Sequence, residues 1–581
     1  MALTKVSYSM VDKAPVNVVD FGAVGDGRTD DSASFQAAVD KAIATTGVVF
    51  VPAGEYLIDD TVVLDFPGGI KICGTSPNSI GTRSVLLQKD INKPVFEIAS
   101  INTHLSDLSF TCYAGSKKDA NGNAITVVST TVNSITLSAN PWDGSPVIWN
   151  LATPFNSTDG TPYSSAILFN VVGGWIASSV TINGNGTVTL NSVKGANGTL
   201  NTSIAGTVGG SIEAFISLAM SVDNSVLTNP NAGTLYCSIK ENQFYDNLWF
   251  NQVVRAFNLS ALGSGGGPGV GTGSVGFMNS IVIDQAKNFI YGQGDIAGLQ
   301  ITNCQAYGTN VAFYAPFGGI SSSNFSNLQI INGLMFQANL DLYGLTVTGC
   351  SFNVLDGYGY SDLLFNNGGI IDRCTLVGNN FGRSTDQVIS TVAINATVIA
   401  SNNIISNNEA GSVNPWLFIL GTGANGYITN SYLGNNNFAA QYGSSNNRLG
   451  FLSATPSVLG STFGGEWVGY QTGVPVIGWV PVASFSNSWV NTGGGTPPVS
   501  CFKDQNGVVH LRGSLSSGTL NAAMCTLPTG YRPYYTTQRF PAVITGVNGY
   551  IDITAAGVVT SVGGASNSWV SLDGISFPTQ I

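Results

Sequence analysis

The chain has 581 residues, of which 43% are hydrophobic and only 9% are charged, and its formal net charge is −11. Few charges among many apolar residues exclude an intrinsically disordered chain, and the acidic balance argues against nucleic-acid binding. No run of about 18 apolar residues occurs, so we expect no membrane insertion. The length predicts several domains or one long solenoid, and the N-terminus lacks a secretion signal, so we expect synthesis in a cytosol.

Residues 16–58 contain the one amphipathic helical pattern that we find. Its apolar side chains recur at helical spacing, at Phe35, Ala38, Val39, Ala42 and Ile43. Short strands are predicted at 48–51 and 55–58, with a turn between them. Because strand-like sequence follows for hundreds of residues, we predict that the helix covers the open end of a long β structure.

Four short motifs lie in the same stretch: Asp20-Phe21-Gly22-Ala23, Gly25-Asp26-Gly27, Thr29-Asp30-Asp31 and Pro52-Ala53-Gly54-Glu55-Tyr56. Together they resemble the start of pectate-lyase-like right-handed β-helices, above all the tailspike depolymerases of bacteriophages. The resemblance implies an all-β fold, a right-handed parallel β-helix with an N-terminal capping helix. That superfamily contains lyases, hydrolases and non-catalytic adhesins, so the resemblance predicts the fold more strongly than it predicts a reaction.

The chain is expected to divide into five parts. Residues 1–15 are a frayed terminus or a peptide that docks onto another phage tail protein, and residues 16–60 form the cap. Residues 61–451 form the β-helix, with an insertion around 113–234, and residues 452–480 form a neck. Hairpin signals such as Asn506-Gly507 and Asn548-Gly549 predict a C-terminal β-sandwich at 481–581. By resemblance to phage fibres and spikes, that domain trimerises the chain or binds glycan.

Apolar strand centres recur irregularly, about two dozen residues apart, which is the period of a solenoid. We take the following residues as equivalent positions of successive coils: Phe250, Ile283, Ile301, Ile330, Val347, Ile371 and Ile399. Cys304, Cys350 and Cys374 each lie three residues past such a centre, so they are predicted to stack inside the coils. The eight cysteines form no CxxC pair, which favours buried free thiols over a zinc or redox site.

Only two histidines are present, His104 and His510, so a histidine base in the central coils is not expected. No Ser-His-Asp triad and no metal cluster can be assembled there, and we predict neither a metal nor another cofactor. Carboxylates remain for catalysis, and those that recur at matching positions of nearby coils are Glu241, Asp246, Asp295 and Asp341. Glycoside hydrolysis needs such a pair, one to protonate the leaving oxygen and one to activate water or attack the sugar.

Aromatic, polar and cationic residues near these acids suit sugar rings, hydroxyl groups and acidic sugars. The predicted substrate contacts are Trp249, Arg255, Tyr291, Asp356, Tyr358, Tyr360 and Asp362. The last four belong to a glycine-rich loop, a composition that is also ordinary in β-helix turns.

Two classes of function follow from these residues and from the resemblance. The first is a homotrimeric tailspike of the virion that cleaves a bacterial capsule or O-antigen, with hydrolysis favoured over a lyase reaction on a uronate. The second is a non-catalytic adhesin of the same fold, which would need aromatic and hydroxyl groups but no carboxylate pair.

Overall fold

The structure is a computed structural model. It describes residues 13–77, 82–142, 165–169, 174–177, 179–191, 193–195, 207–217, 227–238, 243–260, 276–294, 296–307, 311–331, 334–338, 342–353, 363–366, 370–381, 389–392, 398–401, 404–406, 409–410, 419–420, 426–429, 432–434, 457–459, 462–464, 479–503 and 507–579.

The chain divides into two compact units. The first contains Met1–Ala424, Tyr432–Gly450 and Phe463–Val468, and the second contains Asn425–Ser431, Phe451–Thr462 and Gly469–Ile581. The fold is all-β apart from short helices, and the main sheets of the first unit are parallel, which is a β-helix-like arrangement. In the described part of the chain, no helix is long and apolar enough to cross a membrane.

The predicted amphipathic helix spans Ser32–Ile43, after a 3-10 turn at Val18–Phe21. Phe35, Ala38, Val39 and Ala42 are fully buried, so the apolar stripe is its packed face. That face contacts the strands Val16–Asn17, Val48–Phe50 and Val62–Leu64, which belong to the first coils of the parallel sheets.

Sheet 1 is a 13-stranded parallel sheet. Its strands, in order, are Val16–Asn17, Val48–Phe50, Lys71–Cys73, His104–Ser106, Phe244–Asp246, Phe277–Asn279, Gln300–Thr302, Asn324–Ser326, Thr346–Thr348, Thr375–Val377, Ile404–Ser406, Tyr432–Gly434 and Thr462–Gly464. The middle residue of each three-residue strand up to Leu376 is buried, and its two neighbours point outward.

Sheet 2 is a 16-stranded parallel sheet. Its main path is Asp26–Asp30, Gly54–Ile58, Ser84–Gln88, Ser109–Cys112, Trp249–Leu259, Val282–Gly292, Gln305–Tyr307, Gln329–Ile331, Ser351–Asn353, Asn380–Phe381 and Glu409–Ala410. Its side branch is Val62–Leu64, Phe96–Ile98, Leu235–Cys237, Val311–Ala315 and Leu334–Ala338.

The later coils also contribute strands to two further parallel sheets. Sheet 3 runs through Ile296–Ala297, Ile320–Ser321, Leu342–Tyr343, Ile370–Asp372 and Val398–Ser401. A further parallel sheet is formed by Leu363–Asn366, Ile389–Val392 and Ile419–Leu420. One coil therefore contributes four successive strands, for example Ile296–Ala297, Gln300–Thr302, Gln305–Tyr307 and Val311–Ala315.

Residues in the left-handed backbone conformation make the sharp corners between these strands. Asn247, Asn303 and Asn327, with φ of 52°, 54° and 53°, lie between sheets 1 and 2. Asparagine tolerates this conformation better than most residues. Their side chains also bond from coil to coil, with Asn327 Nδ2 2.7 Å from Asn303 Oδ1 and Asn303 Nδ2 3.0 Å from Asn279 Oδ1.

The predicted register of the coils is wrong, although the coil length is right. Phe250, Ile283 and Ile330 do share one column of sheet 2, with Ala306 between the last two. Ile301 instead pairs within sheet 1, and Ile371 pairs within sheet 3. Since each coil has several strands with a buried apolar centre, spacing alone cannot tell which centre belongs to which sheet.

All eight cysteines are free, and all except the half-buried Cys73 are buried, as predicted. Cys304 and Cys350 each follow a left-handed residue at the corner between sheets 1 and 2. Cys374 follows Arg373 at a different corner, so the three thiols do not form the single predicted column.

Between Cys112 and Leu235 the chain leaves the coils and returns to the same position. Its strands form two antiparallel four-stranded sheets. The first consists of Val127–Thr130, Ile135–Leu137, Val188–Asn191 and Ser179–Ile182, and the second of Lys194–Gly195, Gly174–Ile176, Ser165–Phe169 and Ile212–Ser217. We call residues 113–234 the inserted segment; its buried residues pack against Leu57, Val85 and Leu87 of sheet 2.

The second unit is mainly antiparallel. One sheet contains Val480–Pro481, Ser500–Lys503, Val508–Arg512 and Ser576–Pro578. The other contains Val490–Asn491, Ser514–Ser516, Val570–Ser571, Gln538–Ile544, Val547–Ile553, Val558–Val562 and Ala523–Thr526. Side chains of both sheets, among them Cys501, Val509, Ile551 and Val559, share one buried cluster. A parallel strand pair, Gly426–Thr429 with Ser457–Leu459, also belongs to this unit.

Candidate functional site

Four of the predicted site residues lie in the described part of the chain: Asp246, Trp249, Arg255 and Tyr291. The other seven lie outside the described residues: Glu241, Asp295, Asp341, Asp356, Tyr358, Tyr360 and Asp362. Ile296 and Leu342, which directly follow two of the predicted acids, occupy one column of sheet 3 with Ile320 between them.

Asp246 ends a strand of sheet 1 and points outward, half-buried, beside the corner that leads into sheet 2. Its Oδ1 accepts a hydrogen bond from Asn279 Nδ2 at 2.9 Å, one coil further on. On the preceding coil, Asp107 Oδ1 accepts a hydrogen bond from Asn247 Nδ2 at 2.8 Å. Two carboxylates on successive coils are thus oriented by amide groups at this corner.

His104 lies on the same flank, a position that sequence reasoning missed. It pairs with Phe244 in sheet 1, and Ser106 pairs with Asp246, so the imidazole and that carboxylate belong to neighbouring coils. The inserted segment separates these residues by about 140 positions in sequence, which concealed their proximity. The one available signal was the motif His104-Leu105-Ser106-Asp107-Leu108, which resembles Phe244-Tyr245-Asp246-Asn247-Leu248 in its alternation.

Two opposing influences act on the His104 imidazole. Burial and the charge of Lys71 lower its pKa, and the nearby carboxylates of Asp246 and Asp107 oppose that change. The net pKa lies below the usual histidine value, so the imidazole is mostly neutral at neutral pH and able to accept a proton.

A second group of outward side chains lies around the corner, on sheet 2. Asn251 pairs with Asp284, and Asp284 pairs with Tyr307, so the three form a ladder across successive coils. Trp249 lies two residues before Asn251 and points to the same side of the strand. We call these four residues the sheet 2 ladder.

The sheet 2 ladder combines rings, an amide and a carboxyl group on three neighbouring strands, which lie about 4.8 Å apart, so Asn251 and Tyr307 are about 10 Å apart. Tyr307 is 42% exposed, so its ring is available to a ligand. The guanidinium of Arg83 lies 5.8 Å from the centre of the Trp249 ring. The Trp249 Nε1 group is buried without a hydrogen-bond partner among the described residues.

Burial raises the pKa of Asp284, so this carboxyl holds its proton to higher pH than a free aspartic acid. A raised pKa is what a general acid needs in order to protonate a leaving oxygen. Sequence reasoning did not select Asp284, because its burial depends on neighbours that spacing does not reveal.

The inserted segment lies beside the sheet 2 ladder. Its strand Ile212–Ser217 contacts the strand Trp249–Leu259, and its buried residues cover the outer face of the preceding coils of sheet 2. The ladder is therefore bordered on one side by this segment, an arrangement that suits a polymer lying against the coils.

Arg255 and Tyr291 are buried against each other, at 4% and 8% exposure. The guanidinium lies 3.5 Å from the centre of the tyrosine ring, and its Nη1 donates to the Ala232 carbonyl at 3.2 Å. Burial lowers the pKa of Arg255 to about 10, which still leaves it protonated at neutral pH. In this arrangement neither side chain presents surface to a glycan, and Arg255 holds the residues just before Leu235 through the Ala232 carbonyl.

Among the described residues, no group of three or more histidine, cysteine, aspartate or glutamate side chains could hold a metal ion. What the described site offers is proton transfer and sugar contact: two outward aspartates at the corner, a neutral imidazole, and a carboxyl of raised pKa between an amide and a tyrosine.

Comparison with known proteins finds a matching family model for the N-terminal part of the chain. Residues 15–93 match the family model described as rhamnogalacturonase A/epimerase, pectate lyase-like. This part of the chain is therefore similar to pectate-lyase-like proteins, and it includes the helix and the first coils.

Two curated relatives from Azotobacter vinelandii match over 43 residues each. Mannuronan C5-epimerase AlgE4 is 60% identical, over 7% of this chain and 8% of that protein. Alginate lyase 7 is 56% identical, over 7% of this chain and 5% of that protein. The matched part thus spans less than a tenth of either relative.

Among solved structures, the exopolygalacturonase of Thermotoga maritima aligns with 78% of this chain and 91% of its own, at 12% identity and a TM-score of 0.37. A TM-score of this size does not establish a common fold, and the β-helix-like arrangement described above rests on the strand pairing.

Proposed function

We propose that this protein is a bacteriophage tailspike depolymerase that binds and cleaves a bacterial surface polysaccharide, by glycoside hydrolysis. The observation that carries the proposal is the sheet 2 ladder, in which a carboxyl of raised pKa lies between an amide and an exposed tyrosine, with Trp249 adjacent. The polysaccharide lies along the coils beside the inserted segment, and its rings pack against Trp249 and Tyr307.

In this mechanism Asp284 donates its proton to the glycosidic oxygen, and an ionised carboxylate activates water or attacks the sugar. Asp246, one coil earlier and around the corner, is the described candidate for the second role. Glu241, Asp295 and Asp341 remain proposals for either role. Tyr291, Arg255 and the loop acids and tyrosines at 356–362 remain proposed substrate contacts, the first two only if the residues that cover them move.

The proposal has further features. A right-handed coil and a helix that caps its first turn are supported by the similarity of residues 15–93 to pectate-lyase-like proteins. A C-terminal β-sandwich is supported by the two antiparallel sheets of the second unit, which share one buried cluster. A homotrimer in the virion, attached through residues 1–15 to another tail protein, completes the proposal.

A second candidate reaction is favoured by one observation. His104 is a half-buried imidazole of lowered pKa beside the carboxylates of Asp246 and Asp107. A neutral base is what a polysaccharide lyase needs to remove the proton next to a uronate carboxylate. His104 would then be the base, on the flank of sheet 1.

One experiment separates these reactions and the adhesin alternative. The purified chain is incubated with a panel of bacterial capsules, and new reducing ends are measured beside the absorbance of unsaturated uronates. Hydrolysis yields reducing ends alone, a lyase yields both signals, and an adhesin binds a capsule without either signal.

Amide variants then locate the chemistry. We expect Asp284→Asn to lower turnover by about 10²-fold or more, the loss typical of a general acid, and Asp65→Asn, an exposed acid far from the ladder, to leave it unchanged. If Asp284→Asn and Asp246→Asn both keep wild-type turnover, the catalytic residues would instead be sought among Glu241, Asp295 and Asp341.

A further inference from the structure

One sheet of the second unit presents three aromatic rings and an arginine on its outer face. The Trp479 and Phe502 rings have centres 5.9 Å apart, and the Phe502 and His510 rings are stacked with centres 5.8 Å apart. The guanidinium of Arg512 lies over the Trp479 ring, 4.5 Å from its centre. We call these four residues the C-terminal aromatic face.

The strand alternation fixes the direction of these side chains. Cys501, Val509 and Leu511 are at most 2% exposed and belong to the core of the unit, so their neighbours along the strands point the other way. Phe502 pairs directly with His510, whose Nδ1 lies 2.8 Å from Ser576 Oγ on the next strand. The rings are therefore held in place before any ligand binds.

A second arginine of the same unit provides an internal comparison. Arg539 also lies over an aromatic ring, that of Tyr550 at 5.5 Å, but it forms a two-pronged ion pair with Asp552 at 2.7 and 2.8 Å. Arg512 has no carboxylate partner among the described residues, and its buried Nε makes no hydrogen bond there. A guanidinium that is fixed on an indole and not paired with a described carboxylate can bind an anion through its terminal nitrogens.

We propose that the C-terminal aromatic face binds the carboxylate of an acidic sugar, so that the second unit holds a uronate-containing polysaccharide. The four strands of this sheet carry Lys503, Arg512 and His510 and no acidic residue, although the whole chain has a net charge of −11. The edges of aromatic rings carry partial positive charge and the guanidinium can bind a carboxylate through two hydrogen bonds, so both favour this group.

Nucleic acid is a poorer ligand for this face, because the acidic chain repels a dense polyanion. A polysaccharide with one carboxylate per repeat carries far less charge and offers apolar sugar faces to the rings. The inference rests on the proposed function for the polysaccharide, but it places recognition of the acid in a unit that contains none of the proposed catalytic residues.

The test measures equilibrium binding of short oligosaccharides to the full chain by calorimetry. The probes are tetramers of galacturonate and of glucuronate, beside the neutral tetramer of glucose. We expect the acidic probes to bind, the neutral probe to bind at least tenfold more weakly, and affinity to fall as salt is added. Arg512→Gln should weaken binding of the acidic probes at least tenfold, and Arg539→Gln, the matched control, should not.

Because Arg512 packs on Trp479, the milder variants Arg512→Lys and Trp479→Phe are measured beside it, with thermal unfolding to verify the fold. Each should weaken binding by a smaller factor. Equal binding of acidic and neutral probes, no binding of any probe, or full affinity in Arg512→Gln would overturn the inference. A lowered sedimentation mass in Arg512→Gln would identify the face as a subunit contact and would also overturn it.

These results are independent of catalysis. Failure of every capsule to be cleaved, with acidic probes still bound through Arg512, would refute the proposed reaction and leave the binding site intact. Cleavage that persists while Arg512→Gln changes no affinity would refute the binding site alone.

Discussion

At the residue scale, packing explains why the N-terminal motifs that resemble pectate-lyase-like proteins need the residues they have. Gly25 has a φ of 64°, and a Cβ there would lie 2.9 Å from Cε1 of Tyr56. Asp31 is fully buried, and its carboxylate accepts hydrogen bonds from the Val24 and Gly25 amides at 2.7 and 3.2 Å. The Gly-Asp-Gly and Thr-Asp-Asp motifs thus fold one loop around one carboxylate and one tyrosine.

The first prediction concerns that carboxylate. Asp31→Asn offers one acceptor for two backbone amides and turns a donor toward the other, so we expect unfolding to become easier by about 1–3 kcal/mol. Asp40→Asn, on the exposed side of the same helix, should change stability by less than about 0.5 kcal/mol. The measurement is the denaturant midpoint of each variant; equal midpoints for the two would show that the buried carboxylate does not stabilise the loop.

The second prediction concerns His104, whose pKa is lowered first by burial and then by Lys71. An unfolded histidine, at about 6.5, takes up a proton more readily than the folded one. Protonation therefore favours unfolding, and stability should fall as the pH drops from about 6.5 toward the folded pKa. His104→Gln should lose this part of the pH dependence.

Lys71→Met provides the sharper test, because it removes a charge that lowers the pKa of His104 and leaves the imidazole itself in place. In an NMR titration the wild-type His104 signal should titrate below the usual histidine value, and the variant's signal should titrate at higher pH. An unmoved His104 signal would mean that Lys71 does not act on this imidazole.

At the scale of elements, the helix and its two following strands could be predicted because their patterns are local. The coil length could also be predicted, since buried strand centres recur at a solenoid spacing. The register could not be predicted from the sequence, because Ile301 and Ile283 are both buried strand centres. Only the strand pairing assigns Ile301 to sheet 1 and Ile283 to sheet 2. The same limitation concealed His104, whose neighbour Phe244 follows the inserted segment.

The stacking of aromatic side chains inside the coils leads to the third prediction. Phe250 is fully buried and its ring is stacked on Phe110, with centres 4.9 Å apart and planes at 14°. Phe250→Ala should destabilise the chain by about 3–5 kcal/mol, the loss typical of an emptied aromatic site. The same change at Phe317, which is 70% exposed, should have little effect on the thermal midpoint; a comparable loss at both sites would contradict the assigned burial.

At the scale of the whole molecule, the outer flank of sheet 1 is unusual for a surface. Phe244 and Phe277 are 41% and 54% exposed, and their rings stack at 5.3 Å with planes at 19°. Neighbouring exposed rings are typical of surfaces that become buried between subunits. This feature supports the predicted homotrimer.

The fourth prediction is therefore a sedimentation mass of three times the 60.3 kDa chain. Replacing Phe244 and Phe277 together by serine should lower that mass, because the rings would no longer be withdrawn from water on assembly. Tyr307→Ser, which removes an exposed ring from sheet 2 instead, should leave the mass unchanged. A wild-type mass near that of one chain would refute the trimer.

The pairing of Ser109, Phe110 and Thr111 with Trp249, Phe250 and Asn251 has a consequence for how this molecule can change. The strand pairing continues across the inserted segment, so the length of that segment does not set the register of the next coil. Its sequence is constrained where its buried residues pack on Leu57, Val85 and Leu87. Replacement of the segment would reshape the wall beside the sheet 2 ladder and leave the strands that carry the ladder in register. Under the proposed function, exchange of this one segment would change which polysaccharide the protein recognises, while the coils that carry the ladder stay the same.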